Sequence, residues 1–219
     1  MKTLSLTILF VSLFSFSKSQ SVGEILKKGL NAIANENSAP KTIKTVTLVT
    51  TTKKLNGTIR GTIGGGMGAT SQIQIPVTLP PNTVEWYYSF STTNGGAGGL
   101  KDGLKLGFQL ASLVSGLAPA ALALTLVKGL SSQDANSIKV PTGYMPANVY
   151  LISPSNVNLF MQKKQFTYYE SQSSLQATQA MVKVNSDDLK QGTFYLGLQN
   201  ISSTNANYIT IEVVALIAE

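Results

Sequence analysis

The residue types that carry most enzyme chemistry are only partly present in this sequence. Among its 219 residues there is no histidine and no cysteine. The chain therefore cannot build a Ser-His-Asp triad or a Cys-His nucleophile, and it lacks the usual ligands of zinc and copper sites. Its ten acidic residues remain as candidates for catalysis or metal binding. This composition predicts a non-enzymatic protein without a cofactor.

The acidic residues offer two weak sites. Glu85 and Glu212 lie on predicted strands, and a pair of carboxylates can support glycoside hydrolysis. Strand carboxylates are more often exposed surface groups, and we favour that interpretation. Asp187 and Asp188 are the only adjacent acids in the chain, and with Asn185 they could offer oxygen ligands to calcium. An ordinary turn explains them as well, so a calcium-stabilised module is an alternative only.

Tyrosine side chains are the better candidates for ligand binding. Exposed rings can stack on a sugar or become buried in a partner protein. Tyr87 alternates with Trp86 and Tyr88, so it should point to the opposite face of its strand. The sequence predicts a ligand surface that includes Tyr87, Tyr168, Tyr169 and Glu85. Its ligand would be an unidentified protein or glycan, unless these rings instead cover the second sheet or an insertion.

A period-two alternation of apolar and polar residues recurs along the chain and predicts short strands. Strands are predicted at 43–50, 55–63, 73–77, 84–90, 149–152, 166–169, 180–184, 192–200 and 208–217. Turn signals between them favour one antiparallel β-sandwich of jelly-roll type over residues 21–219. Residues 22–35 have helical spacing and predict a short N-terminal helix.

Some of these strands also carry a family resemblance. The segments concerned are Leu79-Pro80-Pro81-Asn82-Thr83 followed by Val84–Phe90, Val149-Tyr150-Leu151-Ile152, Gly192–Asn200 and Tyr208–Val214. Together they resemble the jelly-roll sandwiches of GOLD-type domains and related secreted bacterial β-domains, over roughly residues 76–90 and 147–217. The chain departs from that pattern by an insertion between the first two matched strands. The resemblance implies a binding or interaction sandwich without enzymatic activity.

The insertion, at about 98–131, contains the uncharged stretch LGFQLASLVSGLAPAALALTLV at 106–127. Gly116 and Pro119 divide it into predicted helices at 100–117 and 119–128. An apolar helix is normally buried, so a helical hairpin should pack on the sandwich or form a homo-oligomer interface. A membrane-inserting or pore-forming hairpin is the alternative, and a transmembrane anchor is a third interpretation. The contacting residues would be Leu106, Phe108, Leu110, Leu113, Leu117, Leu122, Leu124 and Leu126.

The first 20 residues combine Lys2, an apolar run and small polar residues, which predicts a cleaved signal peptide and a secreted or periplasmic protein. Two of the 17 basic residues lie there, which leaves a net charge of +5 on the mature chain. Its lysines are scattered pairs, whereas nucleic-acid binding favours a clustered basic face. Weak contact with an anionic membrane surface remains open. Asn56-Gly57-Thr58 and Asn200-Ile201-Ser202 match the glycosylation acceptor pattern, which matters only in a eukaryotic host.

Overall fold

The computed structural model describes residues 43–59, 70–94, 104–115, 138–184 and 186–219. All of them belong to one compact unit, Ala39–Glu219. The predicted signal peptide, the helix at 22–35 and the second insertion helix at 119–128 lie outside the described residues.

Within these residues the chain forms eight β-strands, two α-helices and two short 3-10 helices. The strands are β1 (Ile43–Leu55), β2 (Gln72–Leu79), β3 (Thr83–Thr93), β4 (Ala147–Ile152), β5 (Ser174–Ala177), β6 (Gln179–Val184), β7 (Gly192–Asn200) and β8 (Asn207–Ala218). The helices are α1 (Leu106–Ser115) and α2 (Pro154–Met161), and the 3-10 helices are Glu170–Gln172 and Asp187–Leu189.

The strands form two four-stranded sheets. Sheet I has the order β1-β8-β3-β6, and sheet II has the order β2-β7-β4-β5. Every pairing is antiparallel. The pairs β1–β8, β2–β7, β3–β6 and β4–β5 are nested along the chain. The prediction of a mainly β protein with antiparallel sheets is confirmed.

The two sheets share one hydrophobic core, which gives the unit a sandwich-like build. Successive strand residues point to opposite faces, and the predicted inward residues are buried in this core. They include Trp86, Tyr88, Phe90, Phe194, Leu196, Leu198, Ile209, Ile211, Val213 and Ala215. Val84 was expected among them. It packs instead against a cluster on the outer face of sheet I, because the β3–β8 register shifts between Thr83 and Glu85.

Several predicted boundaries are wrong. Lys53 and Lys54, expected to form a turn, continue β1 because Ile209 and Tyr208 of β8 pair with them. Strand β1 ends at Leu55, and residues 56–59 of the strand expected at 55–63 are not in a strand, whereas 60–63 lie outside the described residues. No strand forms at 166–169. The short helix α2 and the four-residue strand β5 were not predicted.

The first helix of the insertion lies on the outer face of sheet I. Residues 104 and 105 are not helical and the helix begins at 106, while residues 100–103 of the predicted helix lie outside the described residues. The carboxylate of Glu212 accepts hydrogen bonds from its first backbone N–H groups, those of Leu106 (2.8 Å) and Gly107 (3.0 Å). A Cβ at Gly107 would lie 2.7 Å from the Thr47 hydroxyl oxygen, so a larger residue at this position would require the Thr47 side chain to move. Among the described residues no helix is long and apolar enough to cross a membrane.

Candidate ligand-binding surface

The outer face of sheet II carries polar and aromatic side chains. Residues of β2, β4 and β7 that alternate with the core residues must point away from the core. These outward residues are Gln72, Gln74, Pro76, Thr78, Asn148, Tyr150, Ile152, Thr193, Tyr195, Gly197 and Gln199. None of them is charged, although the whole chain has a formal net charge of +7.

Helix α2 covers the middle of this face. Its Phe160 is 1% exposed and packs with Ile152 and Val157. The ring lies over Gly197, where a Cβ would come within 2.9 Å of it and within 2.6 Å of Ile152. Gln72 fixes the end of the helix by donating its side-chain amide to the carbonyl of Phe160. Tyr150 of β4 and Tyr195 of β7 pack beside this helix.

Three side chains beside α2 form a closed hydrogen-bonded triangle. The Nδ2 of Asn148 donates to the Tyr150 hydroxyl (2.8 Å) and to the Oε1 of Gln199 (2.9 Å). The Tyr150 hydroxyl donates to the same Oε1 (3.0 Å). Asn148 is itself held because its Oδ1 accepts the backbone N–H of Gln176 (2.8 Å). Asn148 is buried, whereas Tyr150 and Gln199 are half-buried. The triangle therefore holds two accessible polar groups in fixed positions.

An aromatic cluster adjoins the triangle. The Tyr150 ring packs edge-to-face against Tyr168 (centroids 5.0 Å apart) and Phe166 (5.2 Å), and Phe166 packs in the same way on Phe160. Burial raises the pKa of Tyr150. The hydrogen bond from Asn148 opposes this increase, whereas the nearby Tyr168 adds to it. Tyr168 is half-buried. We call Asn148, Tyr150, Tyr168 and Gln199 the amide–tyrosine surface.

The three tyrosines expected to bind a ligand do not lie together. Tyr168 belongs to the amide–tyrosine surface, whereas Tyr169 packs against Phe194 and the core. Tyr87 is 1% exposed on the outer face of sheet I, in a cluster with Leu106 and Leu110 of α1. Tyr87 is therefore not accessible to a ligand, because α1 packs on the face to which this ring points, as in the alternative that these rings cover an insertion.

Glu85 and Glu212 are buried, which corrects the interpretation that both are exposed. Glu85 accepts the Tyr87 hydroxyl proton (2.7 Å) and lies 3.1 Å from the Lys183 ammonium. Burial, and then the bond to Glu85, raise the pKa of Tyr87. In the β3–β8 register Glu85 faces Leu216, four residues from Glu212. The positions of the two glutamates are therefore roughly 13 Å apart along the strand. This is wider than the distance of about 5–9.5 Å between the two catalytic carboxyl groups of glycosidases.

The acidic pair at the 3-10 helix gives no support for a calcium site. Asp187 lies 2.6 Å from the ammonium of Lys190, which occupies one of its oxygens. Over the described parts of the chain no group of three or more acidic, histidine or cysteine residues lies close enough to hold a metal. Asp188 therefore lacks the further carboxylates that calcium usually requires.

The apolar residues of the insertion divide into two sets. Leu106 and Leu110 are buried against sheet I, with 0% and 1% exposure, so neither faces a membrane in this arrangement. Phe108 is 74% exposed on the opposite side of α1. The side chain of Leu113, together with Leu117, Leu122, Leu124 and Leu126, lies outside the described residues.

Asn148, Tyr150 and Gln199 were missed as site residues, although all three occupy outward positions of strands that the sequence predicts. Outward amides on two strands were the available signal, but only the register between β4 and β7 brings them together. No known family model matches the chain, and no curated protein is significantly similar to it.

Proposed function

We propose that this protein is a secreted, non-enzymatic binding module of jelly-roll type that binds its ligand at the amide–tyrosine surface. The jelly-roll assignment is supported by the nested pairing of first strand with last, second with seventh, third with sixth and fourth with fifth. One long antiparallel hairpin that rolls into two sheets produces this order, and jelly rolls are common in lectin domains and cupins. The pattern of residues 1–20 supports secretion.

The observation that carries the binding proposal is the hydrogen-bonded triangle of Asn148, Tyr150 and Gln199. Both bonds to Gln199 use its Oε1, so the Nε2 donors of this half-buried side chain take no part in the triangle. The triangle fixes the rotamer of Gln199 before a ligand arrives. A pre-ordered polar group lowers the entropy cost of binding, which is the usual design of a ligand site.

A thermal-shift screen of the mature protein tests this proposal against soluble glycans, peptides and nucleotides. A ligand that is selective for the native state raises Tm. The double variant Tyr168→Ala, Gln199→Ala should lose that increase. Tyr144→Ala is the matched control, because Tyr144 is 57% exposed and its backbone binds Thr92 of sheet I. An increase in Tm that survives the double variant would show that the ligand binds elsewhere, and no increase with any class would reject the binding role.

The buried acidic residues of the strands are already bonded to other groups of the protein, which supports the non-enzymatic part of the proposal. Glu85 is occupied by Tyr87 and Lys183, and Glu212 by the start of α1. We expect no turnover across a broad panel of hydrolase substrates. Turnover that disappears in the Glu85→Gln variant would overturn this expectation.

Membrane interaction is the second candidate function, and the exposure of Phe108 favours it. An aromatic ring that is 74% exposed on an apolar helix could enter a lipid surface. Flotation with neutral and anionic liposomes tests this directly. Phe108→Ser should abolish flotation, whereas Leu175→Ser, at a residue that is 43% exposed on β5, should not. A protein that stays in the soluble fraction with every lipid would exclude this function.

A further inference from the structure

The outward face of sheet II has a chemical character that narrows the class of ligand. Its residues on β2, β4 and β7 are amides, hydroxyls and tyrosine rings, together with Pro76, Ile152 and Gly197, and they carry no charge. Phosphates, sulfates and carboxylates are recognised mainly by arginine and lysine. None of the described lysines lies on these three strands: Lys190 precedes β7, and Lys163 and Lys164 lie in the loop after α2. The outward residues of these strands therefore offer no cation to an anionic ligand.

The polar groups of the amide–tyrosine surface offer both donors and acceptors. Gln199 presents Nε2 donors, while the Tyr150 hydroxyl oxygen retains acceptor capacity after its bond from Asn148. Sugar hydroxyl groups donate and accept at adjacent positions, so they match such a mixed set. Because Asn148 fixes both groups, little side-chain entropy is lost when a ligand binds them.

The rings provide the second element of recognition. Tyr168 is held by edge-to-face packing on Tyr150 and by contact with Phe166, at centroid distances of 5.0 and 5.8 Å. A tyrosine that is fixed in this way supplies a large amphipathic contact at low entropy cost. The C–H face of a pyranose ring can pack on such an aromatic ring while its hydroxyl groups reach the neighbouring amide.

From the absence of charge, the fixed amide and the held ring, we infer that the amide–tyrosine surface binds a neutral oligosaccharide. This inference rests on the proposed function of the same surface and adds the chemical class of the ligand. A protein partner would have to bury roughly 800 Å² on this side, and α2 interrupts the face across Gly197.

An array of neutral, sulfated and sialylated glycans, followed by calorimetry with neutral gluco- and manno-oligosaccharides, tests the inference. We expect binding to neutral sugars and at least about a tenfold loss in Tyr168→Ala, because each lost contact weakens binding by roughly 1.4 kcal/mol. The Gln199→Glu variant should lose sugar affinity by a similar factor. It keeps an acceptor for the triangle but removes the Nε2 donors, so Tm should change little and a folding defect can be distinguished.

The possible failures have different meanings. Peptide binding that depends on Tyr168, without any neutral sugar binding, would reject the oligosaccharide and leave the binding module intact. Preference for sulfated or sialylated glycans, lost in the Lys163→Ala variant, would also reject a neutral ligand. We expect sugar binding to be unchanged in the Tyr144→Ala control. If sugar binding is also unchanged in both Tyr168→Ala and Gln199→Glu, the sugar does not bind at the amide–tyrosine surface.

Discussion

Single buried amides hold distant parts of this chain together, and Asn200 is the clearest example. It is fully buried, and its Nδ2 donates to the carbonyls of Leu55, Asn56 and Asn205. The bond to Asn205 is the shortest, at 2.7 Å. Its Oδ1 accepts the Ser202 N–H at 3.0 Å. Although Asn200-Ile201-Ser202 matches a glycosylation pattern, in the folded protein this side chain ties the end of β1 to the β7–β8 connection.

The Asn200→Ala variant should therefore be strongly destabilised. The buried carbonyl of Leu55 and those of Asn56 and Asn205 would lose their donor, and the buried site would be left with a cavity, so we expect a decrease of about 2–4 kcal/mol in the free energy of unfolding. Urea denaturation measures it. Asn158→Ala, at an exposed residue of α2, is the matched control and should change stability by less than about 0.5 kcal/mol. Equal effects in the two variants would contradict the role given to Asn200.

Buried tyrosines make stability depend on alkaline pH. Burial raises the pKa of Tyr88, and burial together with Glu85 raises that of Tyr87. In the unfolded chain both ionise near pH 10, so above that pH the native state binds more protons and stability falls. Each phenol should contribute a slope of about 1.4 kcal/mol per pH unit. Denaturation at pH 9 to 11 measures this slope, and the slope should be shallower in the Tyr88→Phe variant. An unchanged slope in that variant would contradict the role given to Tyr88.

At the level of elements, strands with long alternation could be predicted and short elements could not. The inward residues of β7 and β8 follow directly from the period of two. Helix α2 buries only Val157 and Phe160, and the absence of a side chain at Gly197 on another strand makes room for it. Strand β5 has four residues and exposes two of them. Contacts that are distant in sequence decide these elements, so local patterns do not reveal them.

Helix α1 depends on one carboxylate at its N-terminus. Glu212 accepts the N–H groups of Leu106 and Gly107, where the helix dipole favours a negative charge. The Glu212→Gln variant replaces one carboxylate oxygen by an NH₂ group. One of these backbone N–H groups then faces a donor and loses its hydrogen bond. We expect faster hydrogen exchange at Leu106 and Gly107 and a loss of about 1–2 kcal/mol in unfolding free energy.

The control for this prediction is Glu219→Gln. Glu219 forms an exposed ion pair with Lys44 at 3.1 Å, and such pairs contribute little to stability. Exchange at Leu106 should stay unchanged in this control. If Glu212→Gln leaves that exchange equally slow, the carboxylate does not hold the helix.

On the scale of the whole molecule, the candidate site could be predicted only in part. Tyr168 was expected to bind a ligand, but Asn148 and Gln199, which bond to its neighbour Tyr150, lie on strands whose register is fixed by the core of both sheets. A shift of one residue would turn these amides inward. Tyr87 was misjudged for a related reason, since its exposure depends on where α1 packs. Both outcomes follow from tertiary packing and not from local sequence.

The outer strands of both sheets carry features that oppose association through their edges. The edge strands are β1, β2, β5 and β6. Pro76 removes a donor from β2, and β5 has only four residues. β6 is bonded through Gln179 to the backbone of Val140 and Gly143. Strand β1 is the exception, because it is 13 residues long. Its protection comes from a register shift at Thr47 and from exposed lysines.

This arrangement predicts that the lysines of β1 suppress self-association. Lys53→Val with Lys54→Val should give a mass by light scattering that rises with protein concentration, because a long edge strand that keeps only Lys44 as a charge pairs more readily with another copy. Lys139→Val with Lys164→Val is the matched control, since it removes the same charge from exposed loop positions. The control should keep the wild-type mass. If the mass rises with concentration in both variants, the loss of net charge causes the association. If the mass is unchanged in both, the lysines of β1 are not needed to prevent association.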